Sequence, residues 1–101
     1  MIKATVLYGH PSNPESFEKY YAENHSPLIG KVLGIVKAEL TKFLPNPDGT
    51  AAAYYRMAEL YFAGAAEMQQ AMGSLEGQAL AADLPNFATG GVTIIFGVVE
   101  N

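Results

Sequence analysis

An α+β fold, with four antiparallel strands and its helices gathered on one face, is what this sequence predicts, on three observations. Short β-rich runs and helical runs follow one another in the order β-α-β-β-α-β. The two middle strands flank one loop-rich stretch, residues 45–50, so they read as an antiparallel hairpin. The chain has 101 residues, half of them apolar and 16% charged, which suits one domain around one core. A chain of this size buries roughly 60–68% of the surface its unfolded form exposes. The order of elements is that of the ferredoxin-like split βαβ layout.

The first strand is residues 2–8, a β-rich run closed by Gly9, His10 and Pro11. Ser12 or Asn13 then supplies a helix cap, Pro14 suits the first helical position, and Glu15 and Glu18 lie where the helix dipole favours negative charge. Phe17, Tyr20, Tyr21, Asn24 or His25, and Leu28 form an inward stripe, which leaves Glu15, Glu18, Lys19 and Glu23 largely to solvent. Pro27 cannot donate to the carbonyl of Glu23, so the helix should kink or restart beside His25. Residues 34–44 read as a long second strand near a sheet edge, with apolar and charged residues roughly alternating. A third strand over 52–63 carries Tyr54, Tyr55, Tyr61 and Phe62, interrupted by the charges of Arg56 and Glu59. A short helix over 65–72 follows, then one over 75–84 capped by Ser74 and stopped by Pro85. The last strand runs over 92–99 after Gly90 and Gly91.

Strand faces say something about partners. The last strand places Val92, Ile94, Phe96 and Val98 on one side and Ile95 and Val99 on the other, and the third strand has aromatic residues at both parities. Helices of one chain cover only one sheet face. The second face is therefore expected to pack against another copy, as a homodimer joined sheet on sheet.

Composition narrows the function classes. Six basic against ten acidic side chains give a formal charge of -4, and without a basic cluster neither nucleic acid nor an anionic membrane surface is an expected partner. With no cysteine, disulfide frameworks, thiolate metal sites and thiol nucleophiles are excluded. The opening residues show no signal-peptide pattern and no apolar run approaches the ~20 residues of a membrane span, so a cytoplasmic location is expected.

The acid/base inventory is then His10, His25, the carboxylates and six tyrosines. His25 lies beside the inward stripe of the first helix, with Tyr20 and Tyr21 one turn earlier. An imidazole there either moves a proton for a bound substrate or is a satisfied core or cap residue. His10, before a proline at a strand end, reads as a turn residue. Glu59, near Tyr55, Met57 and Tyr61, is either a pocket carboxylate or half of an ion pair with Arg56, Lys37 or a partner-chain residue. Tyr8 is placed to bring its hydroxyl to a cavity mouth, or to pack with a wet tip. Seven Tyr and Phe residues of the first helix and third strand, Tyr20, Tyr21 and Phe62 among them, either line an apolar pocket for an aromatic or fused-ring ligand or fill the core. No metal-ligand spacing and no nucleotide-binding glycine pattern is present, so no cofactor is called for, with haem on His25 a remote option.

Five segments taken in order, 3–8, 17–28 with its Tyr21-x-x-x-His25-x-Pro27 element, 58–62, 74–77 and 86–93, make the chain resemble the EthD family over nearly its whole length. The resemblance implies the dimeric α+β barrel superfamily and links the chain to a family named for a protein of alkyl-ether breakdown. Relatives by fold include cofactor-independent monooxygenases, polyketide cyclases, muconolactone isomerase and haem-degrading enzymes. They imply a pocket between sheet and helices, with His25 the family-like histidine and Tyr8, Tyr20 and Glu59 its neighbours. Two functions follow as expectations. One is a small cofactor-independent enzyme in catabolic or secondary metabolism, acting by acid/base chemistry at His25 on a hydrophobic aromatic or polyketide-like substrate, as a cyclase, dehydratase, isomerase or monooxygenase. The other is a non-catalytic binding or accessory protein for an apolar intermediate of an oxygenase pathway.

Overall fold

A computed structural model describes residues 1–100. Strand β1 (Ile2–Tyr8) alternates as a half-buried strand should: Ala4, Val6 and Tyr8 are buried while their neighbours are partly exposed. Helix α1 (Pro14–Tyr20) starts as the sequence implies, with the Asn13 side chain accepting from the Ser16 N–H at 3.1 Å and proline in the first turn.

The expected break at Pro27 takes the form of a widened turn. Residues Tyr21–His25 are π-helical, and the Ser26 N–H bonds the carbonyl of Tyr21, one residue further back than an α-helix requires. Pro27 has no N–H to give Glu23, and its ring crowds that carbonyl. Widening the turn relieves the crowding, and the Ser26 hydroxyl donates to the carbonyl of Ala22 at 3.3 Å, which the shift had deprived of its partner. Helix α2 (Ser26–Ile29) continues with Pro27 in its first turn.

Strands β2 (Lys37–Lys42) and β3 (Arg56–Phe62) pair antiparallel, so the hairpin is as expected, but both are shorter than the sequence patterns suggest. Tyr54 and Tyr55 precede β3. Tyr55 still donates its N–H to Tyr8 and accepts from Phe43, so the chain keeps company with the sheet without a regular ladder. The loop turns at Gly49, whose φ of 87° suits glycine.

Helices α3 (Ala65–Gly73) and α4 (Leu75–Ala82) meet at Ser74, whose hydroxyl accepts from the Gly77 N–H at 3.1 Å. Gly77 lies so close to α3 that a Cβ would stand 2.2 Å from the carbonyl oxygen of Ala71. Helix α4 ends earlier than residue 84, and a single 3₁₀ turn, Leu84–Asn86, carries the chain past Pro85. Strand β4 (Val92–Val98) completes the sheet.

The sheet order is β2-β3-β1-β4, with β1 antiparallel to both neighbours: Ala4 lies between Leu60 and Phe96, and Val6 between Ala58 and Ile94. Even-numbered residues of β1, β3 and β4 therefore share the helix-side face, which the helices cover over β1 and β3 and leave open at β4. The opposite face departs from the apolar plane suggested by the strand patterns. Lys3 pairs with Glu59 there, and the Tyr61 hydroxyl donates to Glu39 at 2.7 Å. Uncovered apolar surface is concentrated on β4, where Ile94, Ile95 and Phe96 are 43%, 53% and 61% exposed. Among the described residues no helix is long and apolar enough to cross a membrane.

Candidate active site

The wide turn sets the direction of His25. Being the last residue of the π-helical segment, it lies inward on the helix, 3% exposed and against the ring of Phe87 at 4.5 Å between centroids. Its Nδ1 is 2.9 Å from the Oδ2 of Asp83. Asp83 follows the last turn of α4, and it also accepts from the Tyr20 hydroxyl at 2.6 Å and from the Asn86 amide at 2.9 Å, both on Oδ1. One carboxylate thus ties together the first helix, α4 and the 3₁₀ turn.

This geometry fixes protons. Burial alone would push the Asp83 carboxyl up, but the hydrogen bonds from Tyr20, Asn86 and His25 outweigh it and hold the acid below the usual carboxylate range. An ionised carboxylate only accepts, so Nδ1 of His25 carries the hydrogen and Nε2 carries a lone pair. Burial lowers the imidazole pKa from its ordinary value, and the Asp83 hydrogen bond and charge oppose that without cancelling it. At neutral pH the ring is therefore uncharged, with Nε2 free to act as a base.

His25 lines an apolar cavity of about 90 Å³ between the sheet and the helices, walled on the sheet side by Val6, Ala58 and Leu60. Tyr8, 1% exposed at the end of β1, is the other hydrogen-bonding side chain of the wall. Burial, and the neighbouring Tyr21 second, raise its hydroxyl far above the ordinary tyrosine value, so Tyr8 stays a neutral O–H donor. On one side the wall is made by Ile94 and Phe96 of β4, and through these half-exposed residues the cavity reaches the surface.

The remaining residues singled out from the sequence divide. Tyr20 supports His25 through Asp83 and stacks on Phe87 without lining the cavity. Tyr21 packs between Tyr8 and Phe17 in a cluster of aromatic rings, and its hydroxyl is buried with no hydrogen-bond partner. Phe62, fully buried, belongs to the core around Ile29 and Val32 and is not part of the cavity wall. Glu59 does not join the site. Its strand parity puts it on the sheet face away from the helices, where Lys3 is its ion-pair partner in place of Arg56 or Lys37. Arg56 is held by Glu18 in a two-pronged pair at 2.9 and 3.2 Å, so Glu18 is not the free solvent residue its helical position suggests. His10 donates its Nε2–H to the carbonyl of Ala52 at 2.7 Å, in keeping with a turn residue. Asp83 is the member of this cluster that sequence reasoning missed. The available signal was its position: an acid after the last turn of a helix faces the negative end of the dipole and needs a local reason to be there. Among the described residues no group of three His, Cys, Asp or Glu side chains is placed to hold a metal ion.

A model of the EthD domain family matches residues 10–91. An uncharacterized 11.0 kDa protein of the thcB-thcC intergenic region of Rhodococcus erythropolis is 40% identical over 96 residues, 95% of this chain and 92% of that protein. Among solved structures, an EthD family protein from Bacillus halodurans superposes with a TM-score of 0.92 at 31% identity, covering 99% of both chains. An EthD-like protein from Ralstonia eutropha gives 0.76 at 22% identity, over 99% of this chain and 94% of that one. More distant structures share the fold alone. They include a hydroxynitrile lyase from Passiflora edulis, with a TM-score of 0.76 at 10% identity, and a cofactor-independent oxygenase from Streptomyces nogalater, with 0.65 at 14%.

Proposed function

The chain belongs to the EthD family, and from that premise we propose that it is a small acid/base enzyme acting on a hydrophobic substrate. In this reading Nε2 of His25 takes a proton from the substrate and returns it, and the Tyr8 hydroxyl orients a substrate oxygen. Asp83 is a positioning residue that holds the imidazole in the right tautomer. The observation that carries the reading is the pairing of a buried histidine, fixed at Nδ1 by a carboxylate at 2.9 Å, with an apolar cavity that the same ring lines. Structures of this fold include proteins named as a lyase and as a cofactor-independent oxygenase. The fold is thus compatible with such chemistry, and the case for this chain rests on His25.

The proposal includes a homodimer in which a second copy covers the exposed apolar residues of β4. Sedimentation at micromolar concentration should then give about twice the chain mass of 10.8 kDa, and Phe96→Glu should give the monomer. A monomeric wild type removes this part.

The catalytic reading is tested by extracting the purified protein, identifying the co-purified small molecule by mass spectrometry and following its turnover. His25→Gln should lower turnover by ~10²-fold or more while binding survives. Turnover that persists in that variant, or a captured molecule that neither protein converts, leaves a binding protein for an apolar intermediate and overturns the enzyme.

A further inference from the structure

The cavity says what kind of molecule the base is built to meet. An engineered apolar cavity of about 150 Å³ accepts benzene, and sites that enclose whole drug-sized ligands run to roughly 300–1,000 Å³. At about 90 Å³ the space beside His25 holds a fragment smaller than a benzene ring, on the order of four or five non-hydrogen atoms. A fused-ring or polyketide-like molecule does not fit inside it. At most one end of such a molecule enters.

Charge narrows the class further. No lysine or arginine lines the wall. Arg56 lies over the Tyr21 ring with its guanidinium engaged by Glu18, and the full charge next to His25 is the negative one of Asp83. A carboxylate or phosphate carried into this space would lose its hydration, find no cation and sit near another anion. The polar groups that remain are one lone pair, on Nε2 of His25, and one neutral O–H, on Tyr8.

We infer that the cavity takes the carbonyl end of a small uncharged ketone or aldehyde and moves a proton at the carbon next to that carbonyl, an inference that rests on His25 acting as a base. Nε2 takes the proton from the α-carbon. The C–H pair becomes the carbon–carbon double bond, the carbonyl π pair moves onto oxygen, and that oxygen accepts the Tyr8 hydrogen bond as its charge grows. Reversal returns the proton to the same carbon or to the far end of a conjugated system. The step therefore balances as an isomerisation, with nothing oxidised or reduced. An alkyl ether offers neither an acidic C–H nor an oxygen that gains charge in this way, so it does not suit the site.

The experiment uses 2-butanone and its anionic counterpart of equal heavy-atom count, propionate, in D₂O near pH 7. Saturation-transfer NMR reads binding, and loss of the α-proton signals reads exchange. Wild type should bind 2-butanone over propionate and exchange its α-protons at least 10²-fold faster per site than free imidazole at equal concentration. His25→Gln and Tyr8→Phe, checked for folding by circular dichroism, should each lower exchange by 10-fold or more. Ala81→Phe, at an exposed position in the cavity wall, should block binding in a folded protein. Propionate binding as well as 2-butanone, binding that Ala81→Phe leaves intact, or no binding of either probe overturns the inference. Binding without exchange above the His25→Gln level also overturns it, but leaves the acid/base reading to be judged on the co-purified molecule. Turnover of that molecule that persists in His25→Gln would separately bring down the reading of His25.

Discussion

Replacing Asp83 by Asn tests the tautomer on which the site depends. The carboxylate accepts from Tyr20 at 2.6 Å, Asn86 at 2.9 Å and His25 at 2.9 Å. An asparagine keeps one oxygen, which can stay with Tyr20 and Asn86, and puts an NH₂ group where Oδ2 faced His25. Two N–H groups cannot face one another, so the imidazole must move its hydrogen to Nε2 and accept at Nδ1. The site then loses its base. Three hydrogen bonds to a charged acceptor, worth about 1.5–3 kcal/mol each, become neutral ones worth about 0.5–1.5 kcal/mol. Because the three share one group and do not add fully, the expected loss is about 2–3 kcal/mol. Set against total stability of about 5–15 kcal/mol, that lowers the melting temperature by roughly 8–24 °C. Nitrogen-15 NMR of labelled histidine reads the tautomer, and urea unfolding reads the stability. A variant that keeps the hydrogen on Nδ1, or whose stability changes by less than about 0.5 kcal/mol, would refute this account of the site.

Acid should weaken the fold in two stages. Folding lowers the pKa of His25, so the unfolded chain takes up a proton first, and stability present above about pH 6.5 is lost as pH falls through the folded value. Asp83, also lowered, adds its loss below about pH 4. Each group contributes a slope of at most about 1.4 kcal/mol per pH unit, and His25→Gln should flatten the upper stage in urea titrations from pH 7.5 to 5. A wild type whose midpoint does not move over that range contradicts the burial of the ring. Tyr21→Phe removes a buried hydroxyl with no hydrogen-bond partner and should stabilise by about 0.5–1 kcal/mol. Clear destabilisation in calorimetry would mean that the hydroxyl has a partner. Gly77→Ala forces a Cβ to 2.2 Å from the carbonyl oxygen of Ala71 and should cost about 2 kcal/mol or more despite alanine's better helix propensity. An unchanged melting temperature would show that α3 and α4 can separate.

Much of the fold was legible because it rests on local signals. The Asn13 cap with Pro14, the turn at residues 45–50, Ser74 before α4 and the glycines before β4 each mark a boundary through their own dihedral preferences or hydrogen bonds. Strand lengths were less legible. Tyr54 and Tyr55 have strand-forming side chains, yet the ladder with β2 begins only at Arg56, because the partner strand has run out at Lys42. Intrinsic preference cannot report where a neighbour ends. The wide turn at Tyr21–His25 was half legible: Pro27 announces that the helical ladder fails, while π-helix, kink and restart are equally good local answers to a missing N–H.

The site itself shows which kind of reasoning reaches across a fold. Strand parity alone separates Glu59 from Phe62, three residues apart on one strand, so no single pocket beneath the helices could have used both. His25 was found because a titratable ring beside an apolar stripe and a helix break is conspicuous along the sequence. Asp83 lies 58 residues further on, and no spacing rule links the two. Only the docking of α4 against the first helix brings the carboxylate to Nδ1. The residue most informative about protonation was therefore the one with no periodic signal of its own, only the oddity of an acid at the wrong end of a helix dipole. An unfavourable placement in one element is a reason to look for its compensation in another, and here that compensation is a histidine held neutral with its lone pair turned toward an apolar space.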